Sequence, residues 1–103
     1  MLTAIDTPTF RRTAAAFRSD EEVADFVDFI AEHPDAGDGI PGTRALRKVR
    51  WSPPGMGKRG AARVVYFVRN AAGEVVLVVV YAKGSVDNLP PAFLNRLKEL
   101  YDV

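Results

Sequence analysis

The chain has 103 residues, of which 48% are apolar and 26% charged, a composition typical of one soluble globular domain. It contains no cysteine, which excludes a disulfide framework, a thiolate metal site and a cysteine nucleophile, and which agrees with a reducing cytoplasm. Its longest apolar run, Val75 to Ala82, is too short to cross a bilayer, and the N-terminal residues lack a signal-peptide pattern. We therefore expect a single cytoplasmic domain over residues 1–103, with no membrane association.

The first part of the sequence predicts two helices, after a short strand over Leu2–Ile5. Thr7, followed by a proline, is a typical start for the first helix. Ser19 and Glu22 form a capping box at the start of the second helix, and Pro34 ends it. Apolar residues recur at helical spacing in both segments: Phe10, Ala14 and Phe17 in the first, and Val23, Phe26, Val27 and Ile30 in the second.

The remainder predicts three antiparallel strands and a closing helix. In chain order the segments are turns over 35–43, a strand over Leu46–Trp51, a strand over Ala62–Val68, a tight turn over Asn70–Gly73, a strand over Glu74–Ala82 and a helix from Pro90 to Tyr101. The third strand is apolar on both faces, so we expect it to lie inside the sheet. The fold class is therefore α+β: an N-terminal helical hairpin packed on a small antiparallel sheet, with a C-terminal helix.

Charge is distributed unevenly along the chain. Residues 1–43 hold three basic and nine acidic residues, a net charge of −6, whereas residues 44–103 hold eleven basic and four acidic residues, a net charge of +7. The stretch from Arg44 to Arg69 has eight basic residues and no acidic one. Such a stretch repels itself unless a polyanion or an acidic partner binds it. A basic face that only keeps the protein in solution is the ordinary alternative.

The residue inventory argues against most catalytic mechanisms. The single histidine, His33, lies at the predicted end of a helix, where it interacts favourably with the helix dipole. A lone histidine supports neither a metal site nor a catalytic triad. The loop Gly55–Lys58 lacks the phosphate-loop spacing and joins two strands, so no helix N-terminus follows it. We expect no metal and no cofactor.

The chemistry that remains is cationic. Lys48, Arg50, Arg63 and Lys83 come from neighbouring predicted strands or their ends, and we expect them to converge at one side of the sheet. Such a cluster binds phosphates, and RNA brings its own nucleophile in the 2′-hydroxyl. Arginines stabilise the charge that develops on phosphorus oxygens, and a lysine held among other cations can act as a base. Trp51 and Phe67 are expected in the core.

Three stretches of the sequence resemble the RelE/HigB family of bacterial toxins, closest to its HigB-like branch. They are LRKVRW, PGMGKRGAARVVYF and the strand ending in VYAK, within a matching region from Gly39 to Leu100. The resemblance implies an mRNA interferase, a metal-independent hydrolase that cuts messenger RNA on the ribosome and so inhibits translation. It also implies a cognate antitoxin, a DNA-binding protein encoded next door, that neutralises the toxin.

The resemblance also implies roles for individual residues. Arg63 matches the phosphate-stabilising arginine, Lys48 and Arg50 match a basic pair on the preceding strand, and Lys83 matches the basic residue after the third strand. The expected RNA-binding residues are Arg47, Lys58, Arg59 and Tyr81. The family's tyrosine near the C-terminus has no counterpart in GSVDNLPPAF, and Tyr66, Tyr81 and Tyr101 are candidates at other positions.

Two other hypotheses stay open. A ParE-like toxin would keep the fold but inhibit a protein such as DNA gyrase, without needing Lys48, Arg50 and Arg63 as a set. A non-catalytic nucleic-acid-binding module would show steep salt dependence without forming a product. Arg63 has an ordinary alternative as well, an ion pair with an acidic helix. The sequence does not identify the general base.

Overall fold

The computed structural model describes residues 1–52, 62–82 and 89–102. Its elements are β1 Thr3–Asp6, α1 Pro8–Ala15, α2 Asp20–Glu32, β2 Asp38–Gly39, β3 Arg47–Trp51, β4 Ala62–Arg69, β5 Glu74–Ala82 and α3 Pro91–Tyr101. A short 3₁₀ turn over Asn70–Ala72 joins β4 to β5, as the predicted tight turn required. Within the described ranges, no helix has the length and apolar character needed to span a membrane.

The predicted α+β class is confirmed, and the three predicted strands β3, β4 and β5 pair antiparallel as expected. The described strands form one five-stranded sheet in the order β1-β5-β4-β3-β2, and β1 runs parallel to β5. The strand β1 is thus an edge strand, and it makes the sheet mixed. The third predicted strand, β5, lies inside the sheet as expected, between β1 and β4.

Both helix starts in the first half follow the sequence signals. Thr7 Oγ1 accepts a hydrogen bond from the Phe10 backbone N–H at 3.1 Å. The Ser19 and Glu22 side chains each accept from the other residue's backbone N–H, which completes the capping box. These hydrogen bonds to Ser19 lower the pKa of Glu22. The α2 helix ends at Glu32 with His33 as its C-cap, directly before the proline that was expected to end it.

The sheet has a different helical layer on each face. The α1 and α2 helices cover what we term the hairpin face, where Trp51 and Tyr66 belong to the buried core. The α3 helix covers part of the opposite face, the α3 face, where Phe67 and Leu94 are buried. Trp51 and Phe67 are thus core residues as predicted, on opposite faces. Four large apolar residues of the predicted helices remain exposed, namely Phe17, Phe29, Phe93 and Leu100.

The β4–β5 ladder contains a β-bulge in its middle. The pairing passes from Val65 opposite Val79 to Tyr66 opposite Leu77, so Val78 is the extra residue on β5. Residues on a regular strand alternate between the two faces. A bulge adds one residue and reverses that alternation for everything beyond it.

The first helix holds this bulge in place. Val78 and Val79 are consecutive, yet both pack in the core of the α3 face. Thr7, which is buried at the start of α1, donates its hydroxyl to the Leu77 carbonyl at 2.7 Å and lies 3.2 Å from the Val78 carbonyl. One side chain therefore caps α1 and satisfies backbone carbonyls at the bulge.

The loop between α2 and β3 is tied to the sheet by a fully buried tyrosine. The Tyr66 hydroxyl donates to the Pro34 carbonyl and accepts from the Gly37 N–H, both at 2.8 Å. A Cβ at Gly37 would lie only 2.5 Å from the Lys48 carbonyl oxygen, so a larger residue there would displace β3. Arg47, the cross-strand partner of Tyr66, donates to the Gly37 carbonyl. These contacts set the position of β3.

We predict that Thr7→Val lowers the free energy of unfolding by about 1–3 kcal/mol, because it removes a helix cap and a buried hydrogen bond while keeping the side-chain volume. Urea unfolding followed by circular dichroism measures the change. The matched control is Thr3→Val, at an exposed position of β1, which should change stability by less than about 0.5 kcal/mol. Equal effects of the two substitutions would show that Thr7 does not hold the bulge.

Candidate nucleic-acid interface

Three residues predicted for the site lie side by side across three strands. Arg50 on β3 is opposite Arg63 on β4, and Arg63 is in turn opposite Tyr81 on β5. The neighbours of Arg63 along the strand, Ala62 and Val64, belong to the core of the hairpin face, so Arg63 projects from the α3 face. Directly opposite residues have Cβ atoms about 4.5–5.5 Å apart, so these side chains adjoin.

Lys48 joins this group from β3. It lies two residues before Arg50 on the same strand and therefore on the same face, and its cross-strand partner is Val65, a core residue of the α3 face. The structure thus brings together four residues that the sequence proposed, Lys48, Arg50, Arg63 and Tyr81. We term this group the cationic face.

The bulge places Tyr81 in this group. Simple alternation from Leu77, which packs on the hairpin face, would put Tyr81 on the hairpin face too. Because Val78 is an extra residue, Tyr81 instead packs beside the core of the α3 face, next to Arg63. Burial raises the pKa of Tyr81, while the positive charge of Arg63 lowers it in part. The phenol is therefore protonated at neutral pH and is able to donate a hydrogen bond to a phosphate oxygen.

One guanidinium nitrogen of Arg63, Nη1, is buried without a hydrogen-bond partner among the described residues. The ion pairs of the described chain involve Arg69 and Lys98 but not Arg63. Its cross-strand neighbour is a second arginine, and like charges directly opposite each other destabilise a sheet. A bound anion would remove both costs, because it would accept hydrogen bonds and screen the repulsion.

The other basic residues have different surroundings or fall outside the description. Arg47 projects from the opposite side of β3 and donates to the backbone carbonyls of Asp35 and Gly37, so it lies apart from the cationic face. Its predicted RNA-binding role remains a prediction. Lys58, Arg59 and Lys83 lie outside the described residues, and their predicted roles also remain predictions.

Two further arginines have structural roles that the sequence did not reveal. Arg18 is buried between α1 and α2, lies over the Trp51 ring at 5.2 Å and donates to the Trp51 carbonyl at 2.8 Å. It therefore anchors the end of β3 that carries Arg50. Arg69 pairs with Glu74 and Asp102, and so connects the β4–β5 turn to the end of α3. Only some of the basic residues in the stretch from Arg44 to Arg69 are thus available to a ligand.

One carboxylate adjoins the cationic face, because Asp38 on β2 is the direct cross-strand partner of Lys48. The acidic residues of α2 belong to the helical layer on the hairpin face, and two of them, Glu22 and Asp25, line a pocket that also reaches Arg50. His33 caps α2 and its ring lies 5.1 Å from that of Phe29. Across residues 1–52, 62–82 and 89–102, no group of three or more His, Cys, Asp or Glu side chains is arranged to hold a metal ion. The described site therefore offers hydrogen-bond donors and positive charge.

Comparison with known proteins finds solved structures that share this architecture. No family model matches the sequence. Among solved structures, the chain is similar to a free-state E. coli RelE toxin in which two arginines are replaced by alanine, with a TM-score of 0.63, 14% identity and coverage of 96% of this chain and 97% of that one. It is also similar to the crystal structure of the isolated E. coli RelE toxin, with a TM-score of 0.58, 14% identity and coverage of 97% of this chain and 99% of that one.

A third similar structure is the RelBE2 toxin–antitoxin complex from Mycobacterium tuberculosis, with a TM-score of 0.57, 19% identity and coverage of 80% of this chain and 98% of that one. The chain therefore has the fold of the RelE toxins, and the predicted resemblance is confirmed for the fold. At these identities the comparison establishes architecture, and the function has to be argued from the site.

We predict that Arg63→Met raises the pKa of Tyr81 further, because the substitution removes the positive charge that favours the phenolate. The phenolate of Tyr81 should then form at a higher pH than in the unmodified protein. Ultraviolet absorbance against pH measures this, and Tyr81→Phe in each background subtracts the other tyrosines. Arg63→Lys keeps the charge and is the matched control. If the Met and Lys variants titrate alike, the two side chains do not interact.

Proposed function

We propose that this chain is the toxin of a toxin–antitoxin pair, an endoribonuclease that cleaves messenger RNA without a metal ion. The single observation that carries the proposal is Arg63, whose buried Nη1 lacks a partner in the described chain and which lies between Arg50 and Tyr81. Arginines held together at such a cost are typical of a site that binds an anion.

The reaction follows from the chemistry of RNA. The 2′-oxygen attacks the adjacent phosphorus, the bond from phosphorus to the 5′-oxygen breaks, and the products are a 2′,3′-cyclic phosphate and a free 5′-hydroxyl. Arg63 and Arg50 stabilise the negative charge on the non-bridging oxygens in the transition state. Lys48 transfers protons between the 2′-oxygen and the leaving 5′-oxygen. Tyr81 binds the RNA beside the scissile phosphate.

We also propose that the protein acts in the cytoplasm on messenger RNA at the ribosome and is neutralised by an antitoxin encoded beside it. The similarity to a toxin from a solved toxin–antitoxin complex supports such a partner. An antitoxin segment rich in acidic and apolar residues would complement the cationic face and the exposed apolar residues of the helices. The HigB-like branch is our assignment from the sequence motifs.

The grouping of Lys48, Arg50 and Arg63 favours a nuclease over a ParE-like inhibitor of a protein target. A protein-binding toxin would have no use for three cations at one place on the sheet. A non-catalytic RNA-binding module would use the same three cations, so only the formation of a product separates it from the nuclease.

We predict that induction of this chain without its antitoxin arrests growth, and that Arg63→Ala restores growth. Removal of one charge-stabilising donor should lower RNA cleavage by about 100- to 1,000-fold. Mapping of 5′ ends in total RNA after induction measures cleavage. Arg12→Ala, which removes an exposed arginine from α1 on the hairpin face, is the matched control and should stay toxic. An Arg63→Ala variant that still arrests growth would overturn the site assignment, and growth arrest without cleavage would favour a protein target.

We predict that Lys48→Ala and Arg50→Ala each reduce the salt dependence of RNA binding. The logarithm of the binding constant for single-stranded RNA falls linearly with the logarithm of the salt concentration, with a slope of about −0.7 for each neutralised phosphate. Each variant should therefore reduce the magnitude of this slope by about 0.7. Fluorescence anisotropy on a 2′-O-methylated RNA, which is not cleaved, measures the slope. Arg11→Ala on α1 should leave it unchanged. If all three variants share one slope, Lys48 and Arg50 do not contact phosphates.

A further inference from the structure

A carboxylate lies at the edge of the cationic face. Asp38 on β2 is the direct cross-strand partner of Lys48 on β3, and the side chains of two residues paired in this way project from the same face of a sheet. The partner of Lys48 on its other side is Val65, which packs in the core of the α3 face. Asp38 therefore projects from the α3 face, where it is exposed to solvent.

The backbone on both sides of Asp38 is held by hydrogen bonds. Before it, the Gly37 N–H donates to the buried Tyr66 hydroxyl at 2.8 Å. After it, the Ile40 N–H donates to the Leu46 carbonyl at 2.9 Å. A side chain on a segment constrained in this way has a defined place relative to β3 and to the cations that β3 carries.

The proposed phosphate site lies next to this carboxylate. Arg50 is the diagonal neighbour of Asp38 on β3, and diagonal residues of an antiparallel pair are about 7–8 Å apart. Arg63 is directly opposite Arg50, so a phosphate bound by the two arginines has Lys48 and Asp38 on its β2 side. The ribose that carries this phosphate extends several ångströms from it, which is enough to bring the 2′-hydroxyl to the Asp38 carboxylate.

The charge of Asp38 opposes the binding of RNA. A carboxylate repels phosphates, so it lowers the affinity of a surface whose only task is to bind them. Two other carboxylates of the chain, Glu74 and Asp102, pair with Arg69 at the far end of β4. Asp38 instead adjoins a cation of the proposed site. An anion at this position is explained by a task in the reaction, since binding alone would be stronger without it.

Asp38 and Lys48 together supply both proton transfers that the cleavage of RNA requires. A carboxylate is a proton acceptor, and an ammonium is a proton donor. The attacking 2′-hydroxyl has to lose a proton, and the leaving 5′-oxygen has to gain one. Two neighbouring groups of opposite character therefore fit the two sides of the reaction better than one group that serves both.

We propose that Asp38 is the general base of the cleavage reaction and that Lys48 is its general acid. This assignment rests on the proposed function, and it divides between two side chains the proton transfers given above to Lys48 alone. The Asp38 carboxylate takes the proton of the 2′-hydroxyl as the 2′-oxygen bonds to phosphorus. The bond from phosphorus to the 5′-oxygen breaks, and the Lys48 ammonium gives that oxygen a proton. A proton then passes from Asp38 to its neighbour Lys48, which restores both groups with no net gain or loss.

The first measurement separates binding from cleavage. Asp38→Asn should slow single-turnover cleavage of a ribosome-bound messenger RNA by about 100- to 10,000-fold, the usual contribution of a general base. The same variant should bind a 2′-O-methylated RNA at least as tightly as the unmodified protein, because it removes a repulsive charge. Asp6→Asn, which removes an exposed carboxylate from the strand at the opposite edge of the sheet, is the matched control and should cleave at the unmodified rate.

The second measurement separates the two proton transfers. Sulfur in place of the 5′-oxygen at the cleaved link leaves as a thiolate, which needs no proton. With this RNA, cleavage by Lys48→Ala should recover to the rate of the unmodified protein. Asp38→Asn should remain slow, because the 2′-hydroxyl still has to lose its proton. All rates are measured at saturating protein, so that weaker binding does not affect them.

Three results would overturn the assignment. The first is an Asp38→Asn variant that cleaves at the unmodified rate, which would leave Asp38 as an ion-pair partner of Lys48 only. The second is a loss of RNA binding as large as the loss of cleavage, which would make the role of Asp38 structural. The third is a sulfur-containing RNA on which Asp38→Asn recovers or Lys48→Ala does not, because either outcome contradicts the two roles.

A failure of this assignment is distinct from a failure of the proposed function. A chain whose cleavage depends on Arg63 but not on Asp38 would keep the nuclease and lose the general base. An unmodified chain that cleaves no RNA would overturn both.

Discussion

The extra residue at Val78 is the constraint on which the candidate site depends. It reverses the alternation of β5 beyond that point, so Val79 and Tyr81 face α3 while Leu77 and Val80 pack against the helical hairpin. Without the bulge, Tyr81 would project into the hairpin layer and Arg63 would lose its aromatic neighbour. The Thr7 hydroxyl caps α1 and also donates a hydrogen bond to the Leu77 carbonyl at the bulge. The same side chain therefore stabilises both the start of a helix and the bulge that places Tyr81 beside Arg63.

The strand that carries Lys48 and Arg50 is fixed at both ends. At one end, Tyr66 and Arg47 bind the loop in front of β3, and Gly37 allows that loop to approach the Lys48 carbonyl. At the other end, buried Arg18 stacks on Trp51 and donates to its carbonyl. Arg18 and Arg47 thus hold β3 in position, whereas Arg50 on β3 and Arg63 on β4 lie opposite each other and repel. That separation of tasks is what distinguishes a binding site from a solvated basic surface.

The charge asymmetry of the sequence becomes a spatial asymmetry in the fold. Acidic residues concentrate on α2, on one side of the sheet, whereas Lys48, Arg50 and Arg63 project from the other side. Positive charge gathered on one face attracts anions to that face. The fold is shared with RelE toxins at low sequence identity, so the function has to be argued from the side chains of this chain, above all those of the cationic face.

The sequence by itself determined the local structure and the type of chemistry. Capping residues such as Thr7 and Ser19 act within a few positions of themselves, and the alternation of Lys48 and Arg50 with Val49 and Trp51 describes a half-exposed strand without reference to the rest of the chain. Only the tertiary structure decided the sheet order, the parallel pairing of β1, the division of the arginines between support and site, and the side on which Tyr81 projects. Those outcomes depend on contacts between residues far apart in sequence, such as the Thr7 hydroxyl on the Leu77 carbonyl, and a local pattern carries no information about a partner 70 positions away.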